Sequence, residues 1–269
     1  MNSFLVISDT SVGYNINVGS HAHMGDNFIN FMFFSQIKEF LEVNNIHINY
    51  CCWDKYHANL LDFCPTSNIH IYGINIPIDD INPKLPNDAY LLWQGGRTAR
   101  LIPPDKNYYA EDVLVFMFNL FLQDFNLGIQ VHNWIYEDPR IKVWHNQLSD
   151  EYKNIDLLII NSTPLSRQYN YNKSVWNSEI IELSKRYKIA TTEFVSSDIL
   201  CLDKFKLKDI TAVSINVNYI IGINTGALLP LFNTYTLENV KKIYVFGGAF
   251  KHKKVVSNPP NLLSCDLTI

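Results

Sequence analysis

Residues 207–248 read LKDITAVSINVNYIIGINTGALLPLFNTYTLENVKKIYVFGG and decide the fold class. Their apolar residues predict a helix over residues 207–217, a strand over 219–223, a helix over 226–240 and a strand over 243–246. Helices that alternate with strands are typical of a parallel sheet covered by helices. The stretch therefore predicts an α/β fold.

The alternation begins upstream of this stretch. Residues 156–161, DLLIIN, form a continuous apolar run of the kind that is buried on both faces of a sheet. A polar loop over residues 162–173 follows, and then a predicted helix over 175–187 and a strand over 188–192. These elements complete one Rossmann-like half.

The N-terminal part of the chain predicts a second half of similar size. Its helices cover residues 26–43 and include residues 113–122, and its strands cover residues 4–8, 46–53, 69–74 and 89–93. The connection over residues 128–151 is aromatic and is predicted to be irregular. We expect two Rossmann-like halves that face a cleft, with domains at 1–128 and 153–256, a linker at 129–152 and a loosely ordered tail at 257–269.

Composition narrows the class of protein. The chain has 269 residues, of which 47% are hydrophobic and 18% charged, so it is predicted to be globular. The net charge of -4 includes no Lys/Arg run, which argues against a nucleic-acid-binding module. The five cysteines form no C-x-x-C pair, which favours a reducing compartment and argues against a thiolate zinc site.

Targeting signals are also not predicted. The N-terminus has no basic region followed by a long apolar run, and the most apolar stretch, residues 113–122, is about half the length needed to span a bilayer. The sequence therefore predicts a cytoplasmic protein without a transmembrane segment.

The first candidate site is the loop over residues 19–27, which enters a helix. Asp26 is a candidate general base for a sugar hydroxyl, and His21 and His23 are alternatives near neutral pH. Gly25 and Asn27 flank Asp26 in the sequence and are assigned to the acceptor side. Helix capping alone also selects Gly-Asp at this position, so a purely structural role stays open. The two histidines and the one carboxylate could ligate a metal ion, but no further ligand is spaced nearby, so no metal site is predicted.

The second candidate site is the turn that follows the strand over 219–223. Gly222, Asn224, Thr225 and Gly226 lie between this strand and the predicted helix. Free backbone amides and the positive end of a helix dipole favour phosphate oxygens there, and Thr225 adds a hydroxyl donor. A tight structural turn with Thr225 as the helix cap is the alternative.

Further polar residues follow other strands, at the edge where open α/β sheets bind ligands. Arg167 is a candidate countercharge for a diphosphate. Glu193 is a candidate partner of a ribose or base, although a solvent-facing role is the common outcome for such a residue. Ser162 and Ser166 are further candidates for the diphosphate, and Thr192 accompanies Glu193. Gly95, Gly96 and Arg97 follow a predicted strand of the first half and are assigned to the acceptor side.

The stretch 207–248 resembles the donor-side segment of heptosyltransferase-like glycosyltransferases of the GT-B fold. That family has a helix, an apolar strand, a G-x-[DN]-[ST]-G turn, a helix and a strand ending in F-G. Gly222, Asn224, Thr225 and Gly226 match the turn, and the Gly25-Asp26 pair matches the Gly-Asp of the family's N-terminal half. Residues 228–230 depart from the family, which carries a histidine there.

The resemblance implies a metal-independent glycosyl transfer from a nucleotide-diphosphate sugar to an acceptor hydroxyl, without a further cofactor. Asp26 is implied as the base, the N-terminal half as the acceptor side, and the C-terminal half as the nucleotide-sugar-binding side. Two alternatives stay open. One is another nucleotide-sugar cleft enzyme, epimerase-like or pyruvyl-transferase-like, and the other is a non-catalytic binding module of the same fold. No G-x-G-x-x-G follows the first predicted strand, which argues against a Rossmann dehydrogenase.

Overall fold

The computed structural model describes residues 14–20, 24–75, 89–92, 110–164, 169–248 and 250–268. Within these residues the strands form two sheets, and every strand pair is parallel. The strands are β1 (Tyr14–Gly19), β2 (Ile46–Trp53), β3 (Ile69–Ile74), β4 (Tyr90–Leu91), β5 (Leu157–Ile160), β6 (Ile189–Thr191), β7 (Leu200–Cys201), β8 (Tyr219–Ile223), β9 (Lys242–Phe246) and β10 (Val255–Ser257).

The first sheet has the order β3-β2-β1-β4, and the second has the order β10-β9-β8-β5-β6-β7. The helices are α1 (Met24–Gln36), α2 (Lys38–Val43), α3 (Asp54–Phe63), α4 (Ala110–Asp124), α5 (Arg140–Gln147), α6 (Asp150–Lys153), α7 (Lys173–Ser184), α8 (Leu207–Ser214) and α9 (Thr234–Asn239). The predicted α/β class with two Rossmann-like halves is thus confirmed.

The strands of the second sheet are apolar because both of their faces are covered. All four residues of β5 and all five residues of β8 are buried. One face packs in the large core of the molecule. The other packs against α7 through Trp176, Ile180 and Leu183.

The two halves share that large core, which includes residues of both sheets. An aromatic joint, made of Phe28, Trp134, Tyr136 and Phe232, connects them. The rings of Phe28 and Tyr136 have centroids 5.7 Å apart, and those of Trp134 and Phe232 are 4.5 Å apart. The Tyr136 hydroxyl also donates a hydrogen bond to the carbonyl of Pro230, at 3.2 Å.

The helix predicted over residues 226–240 is wrong. The chain forms instead a short 3₁₀ turn at Leu229–Leu231 and the separate helix α9. Pro230 lacks the amide that a longer helix would need. The side chain of Asn233 then accepts a hydrogen bond from the amide of Thr236 and starts α9.

The prediction of a loosely ordered tail at 257–269 is also wrong for the residues of this segment that the structure describes. Leu262, Cys265 and Leu267 are buried against the second sheet. The hydroxyls of Tyr187 and Tyr244 donate hydrogen bonds to backbone carbonyls of this segment. Its apolar side chains therefore cover a face of the sheet that would otherwise be exposed.

Other elements differ from the prediction in smaller ways. The connection over residues 128–151, which was predicted to be irregular, contains α5 and the start of α6. Burial of Ile141 and His145 on one face of α5 stabilises that helix. The predicted helix over 26–43 is interrupted at Ile37. Strand β1 lies in a segment predicted as a loop, and α3, β7 and β10 were not predicted. The strand predicted over residues 4–8 lies outside the described residues. No helix in the described part of the chain is long and apolar enough to cross a membrane.

Candidate active site

Asp26 lies in the first turn of α1, directly after the carboxyl edge of the first sheet. Because α1 begins at Met24, Asp26 is the third helical residue and is not the residue that caps the helix. Its side chain is half-buried. A carboxylate in the first turn is favoured by the helix dipole, typically by about 0.3–1 kcal/mol.

Two tyrosines surround this start of α1. Burial raises the pKa of Tyr50 and of Tyr56, and the nearby Asp26 carboxylate adds to both increases. The Met24 backbone lies close enough to the Tyr56 hydroxyl to oppose part of the increase in its pKa. Both tyrosines near Asp26 therefore stay protonated at neutral pH.

Asn27 is directed into the core of the first half. It is fully buried, and its Oδ1 accepts a hydrogen bond from the Tyr50 hydroxyl at 2.9 Å. Asn30 donates to the same hydroxyl at 2.7 Å. The polar groups of Asn27 and Tyr50 thus hold α1 on β2, and in this arrangement Asn27 does not face the cleft.

Two glycines bring the halves into contact beside Asp26. A Cβ placed on Gly226 would lie 2.9 Å from the amide nitrogen of Gly25, and a Cβ on Gly25 would lie 3.2 Å from the Cα of Gly226. A side chain on either residue would therefore force the two segments apart. The turn after β8 therefore touches the start of α1, one residue before Asp26.

Hydrogen bonds to the end of β9 hold this turn. The Asn224 amide nitrogen donates to the Phe246 carbonyl at 2.8 Å, and the Asn224 side chain donates to the Gly247 carbonyl at 3.3 Å. Gly222 is buried within β8, and a Cβ there would lie 2.7 Å from Leu228. Gly222 thus provides space for a core side chain, whereas Thr225 and Gly226 lie at the outer end of the turn.

Two hydroxyls at this edge of the second sheet have no hydrogen-bond partner among the described residues. They are the Thr225 Oγ1 in the turn and the Tyr171 hydroxyl in the loop before α7, and both atoms are buried. Burial raises the pKa of Tyr171 to about 12, and the charge of Glu193 contributes. A buried hydroxyl without a partner is unfavourable, so a polar group that reached either atom would gain a hydrogen bond there.

A polar network joins the carboxyl ends of β5 and β6. The Ser162 and Thr192 hydroxyls lie 3.0 Å apart, and the Asn161 Oδ1 accepts a hydrogen bond from the Glu193 amide at 2.8 Å. The Glu193 carboxylate accepts from the Thr163 amide and pairs with the Lys173 ammonium at 2.7 Å. The structure therefore brings Ser162, Thr192 and Glu193 together.

The strand register places this network near the glycine turn. Strand β5 pairs with β8 so that Ile160 lies opposite Gly222, and β5 pairs with β6 so that Ile159 lies opposite Thr191. All three strands thus end at one edge of the second sheet, which is where open α/β sheets bind their ligands.

Several predicted site residues lie outside the described residues. They are His21, His23, Gly95, Gly96, Arg97, Ser166 and Arg167. Lys173, Tyr56 and Tyr171 lie at the site but are not predicted from the sequence. Asn161 is the first residue of the candidate loop that follows the buried strand β5, although no role was assigned to it.

The described residues include no group of three or more His, Cys, Asp and Glu side chains placed to hold a metal ion. They do place a half-buried carboxylate beside a turn that carries a buried hydroxyl without a partner. Such a pair can accept a proton from one group and donate a hydrogen bond to another on the opposite side.

Comparisons with known proteins are informative at the level of fold. No protein-family model and no curated protein matches the sequence. A glycosyl transferase family 9 structure from Veillonella parvula aligns over 91% of this chain and 85% of its own, with 13% identity and a TM-score of 0.56. The E. coli heptosyltransferase WaaC with ADP aligns over 94% of each chain, with 11% identity and a TM-score of 0.57.

WaaC with ADP-2-deoxy-2-fluoro heptose gives a similar result. It covers 90% of this chain and 92% of its own, with 9% identity and a TM-score of 0.57. At these identities the likeness establishes the fold. The chain therefore has the GT-B-like fold of the heptosyltransferase-like glycosyltransferases, which the sequence resemblance predicted.

Proposed function

We propose that this protein is a glycosyltransferase that moves a sugar from a nucleotide-diphosphate donor to an acceptor hydroxyl, without a metal ion. The first half binds the acceptor, and the second half binds the nucleotide sugar. The fold supports this proposal, as do the polar groups at the facing ends of the two halves.

One observation carries the proposal, namely the contact between Gly25 and Gly226. Asp26 and Thr225 are the chain neighbours of these two glycines, which supports placing them on opposite sides of one site although they are far apart in the sequence. A base and a group that binds the leaving diphosphate must lie on either side of the reacting carbon. The contact supports that arrangement.

The reaction proceeds by direct displacement. Asp26 takes the proton of the acceptor hydroxyl, and the resulting oxygen attacks the anomeric carbon. The bond from that carbon to the diphosphate oxygen breaks, and the diphosphate leaves with the electron pair. Thr225 and the backbone amides of the turn stabilise the charge that develops, and Arg167 supplies a countercharge.

The remaining residues bind the substrates. Ser162, Ser166, Thr192 and Glu193 contact the nucleotide part of the donor. Gly95, Gly96 and Arg97 are assigned to binding of the acceptor, and His21 and His23 are the alternative bases. The five cysteines are free thiols, which fits a reaction in the reducing cytoplasm.

A thermal-shift screen tests donor binding. ADP, UDP, GDP and CMP are compared with their sugar conjugates, beginning with ADP-heptose because WaaC was solved with ADP and an ADP-heptose analogue. A ligand at 100 times its Kd adds about 2.7 kcal/mol to the free energy of unfolding, which raises Tm by roughly 5–10 °C. The absence of any shift would argue against a nucleotide-binding site.

Asp26→Asn tests the catalytic step. The variant keeps the size of the side chain and removes its basicity, so the rate of transfer should fall about 10²–10⁴-fold. The free energy of unfolding should fall by only about 1 kcal/mol, because asparagine loses the charge in the first turn but keeps a side-chain oxygen that accepts hydrogen bonds. Full activity in this variant would exclude Asp26 as the base and direct attention to His21 or His23.

A non-catalytic binding module of the same fold is the second candidate. The internal hydrogen bonds of Asn224 and Glu193 favour it, since both side chains already have partners within the protein. Such a module would bind a nucleotide sugar without releasing the nucleotide. Measuring nucleoside diphosphate release with and without an acceptor separates the two candidates.

A further inference from the structure

An aromatic platform lies at the carboxyl edge of the first sheet. It consists of Trp53, the last residue of β2, and Tyr56, in the first turn of α3. Their rings are nearly parallel, with an interplanar angle of 9° and centroids 5.8 Å apart. Trp53 is half-buried, whereas Tyr56 is almost fully buried.

The exposed side chain of Lys55 lies over the two rings of the platform. The Lys55 ammonium lies 3.8 Å from the centroid of the Trp53 ring and 4.9 Å from that of Tyr56. Lys55 is itself exposed, so its long side chain can move away from the rings. A cation–π contact at an exposed position is weak enough for a ligand to displace it.

The indole nitrogen of Trp53 supplies a second observation. Its N–H group is buried and has no hydrogen-bond partner in the part of the chain that the structure describes. Tryptophan in such a position normally finds an acceptor. A hydroxyl oxygen of a bound molecule would satisfy it after a small movement of the ring.

The platform is linked to the proposed base. Helix α3, which carries Tyr56, packs against α1 through the rings of Phe63 and Phe28, whose centroids are 4.7 Å apart. A molecule that lies on the two rings is therefore on the side of the first half where α1 and Asp26 lie.

We propose that Trp53 and Tyr56 bind the acceptor, and that the acceptor presents a sugar ring to them. This inference rests on the proposed function, because it names the substrate class on the acceptor side. A sugar ring has a face of C–H groups that packs on the electron-rich face of an aromatic ring, and hydroxyls at its rim that accept from an indole N–H. A lipid chain or a peptide hydroxyl would lack that combination.

Binding is tested without a donor and without turnover. Methyl glycosides of glucose, galactose and mannose are titrated against the full-length protein, and saturation transfer from protein to sugar protons is measured by NMR. The wild type should bind at least one of them through its ring C–H protons. In Trp53→Ala the affinity should fall about tenfold, as expected for the loss of an aromatic stacking surface.

Trp144→Ala is the matched control. Trp144 is also half-buried, and the Arg140 guanidinium lies 5.5 Å from the centroid of its ring, but Trp144 is located on α5. This variant should bind the glycosides as the wild type does. Trp53→Phe keeps an aromatic ring and serves as a second variant in case Trp53→Ala does not fold. It should retain part of the affinity, with a melting temperature close to that of the wild type.

The outcomes separate this proposal from the proposed function. It is overturned if the wild type binds none of the glycosides, if Trp53→Ala binds them unchanged, or if Trp144→Ala weakens binding equally. Sugar binding that depends on Trp53, without any transfer, would contradict only the glycosyltransferase. Transfer with an unchanged acceptor KM in Trp53→Ala would contradict only the platform.

Discussion

Gly226→Ala tests the contact between the two halves. The new methyl carbon would lie 2.9 Å from the Gly25 amide nitrogen and 3.3 Å from the Met24 Cβ. A comfortable contact needs roughly 3.5 Å, so the turn and the start of α1 must separate by about 0.6 Å. Overpacking of this kind costs about 1–3 kcal/mol, which lowers Tm by roughly 3–10 °C.

The same displacement should also slow the reaction. A misplacement of about 1 Å can cost 10²-fold in rate, so a shift of about 0.6 Å should reduce transfer by about tenfold. Thermal unfolding and nucleoside diphosphate release are measured on the same preparations. The loss of rate should exceed the loss expected from unfolded protein at the assay temperature.

Gly128→Ala provides the control for this experiment. Gly128 has a φ of +70°, and nothing lies within 4 Å of an added Cβ. The variant should lose about 1–2 kcal/mol through backbone strain alone, with an unchanged rate. Wild-type stability and activity in Gly226→Ala would refute the contact, and equal loss of activity in both variants would refute its role in catalysis.

Two further predictions concern stability. Leu262→Ala should lower the free energy of unfolding by about 2–5 kcal/mol, because the Leu262 side chain is only 1% exposed. Leu263 is 46% exposed, so Leu263→Ala should change the free energy of unfolding by less than about 0.5 kcal/mol. Equal effects of the two substitutions in urea unfolding would contradict the packing of the tail. Burial raises the pKa of Cys52 and Cys265 from 9.0 to about 12. The folded state therefore keeps protons that the unfolded state releases. The contribution of these two thiols to the free energy of unfolding should be constant well below pH 9 and decline as the pH rises from 9 towards 12. A free energy of unfolding that does not decline between pH 9 and 12 would contradict the burial of these thiols.

Much of the fold could be predicted because its strands follow simple patterns. The predicted strands over residues 46–53, 69–74 and 219–223 agree with β2, β3 and β8 at both ends. Most apolar residues of β2 and all residues of β8 are buried, so the pattern and the burial carry the same information there, whereas in β3 only Ile69 is buried. Strand β1 was missed because its alternate residues, Asn15 and Asn17, are uncommon in strands.

The site was only partly predictable. The turn residues and Asp26 could be chosen because glycine and aspartate between a strand and a helix favour ligand binding, although the same residues also suit helix caps and tight turns. The contact of Gly25 with Gly226 depends on how the two halves pack, which local patterns do not describe. The helix predicted over residues 226–240 shows the same limit, since an apolar run can be buried as a 3₁₀ turn as well as a helix.

The aromatic joint between the halves has a consequence for engineering the protein. Phe28, Trp134, Tyr136 and Phe232 belong to one continuous core, so neither half can bury its own surface when expressed alone. The chain should unfold as a single cooperative unit. A chimaera that combines the donor half of one relative with the acceptor half of another would then have to keep residues 129–139 together with the surfaces that they contact in both halves. A junction inside this segment would leave mismatched aromatic rings in the shared core.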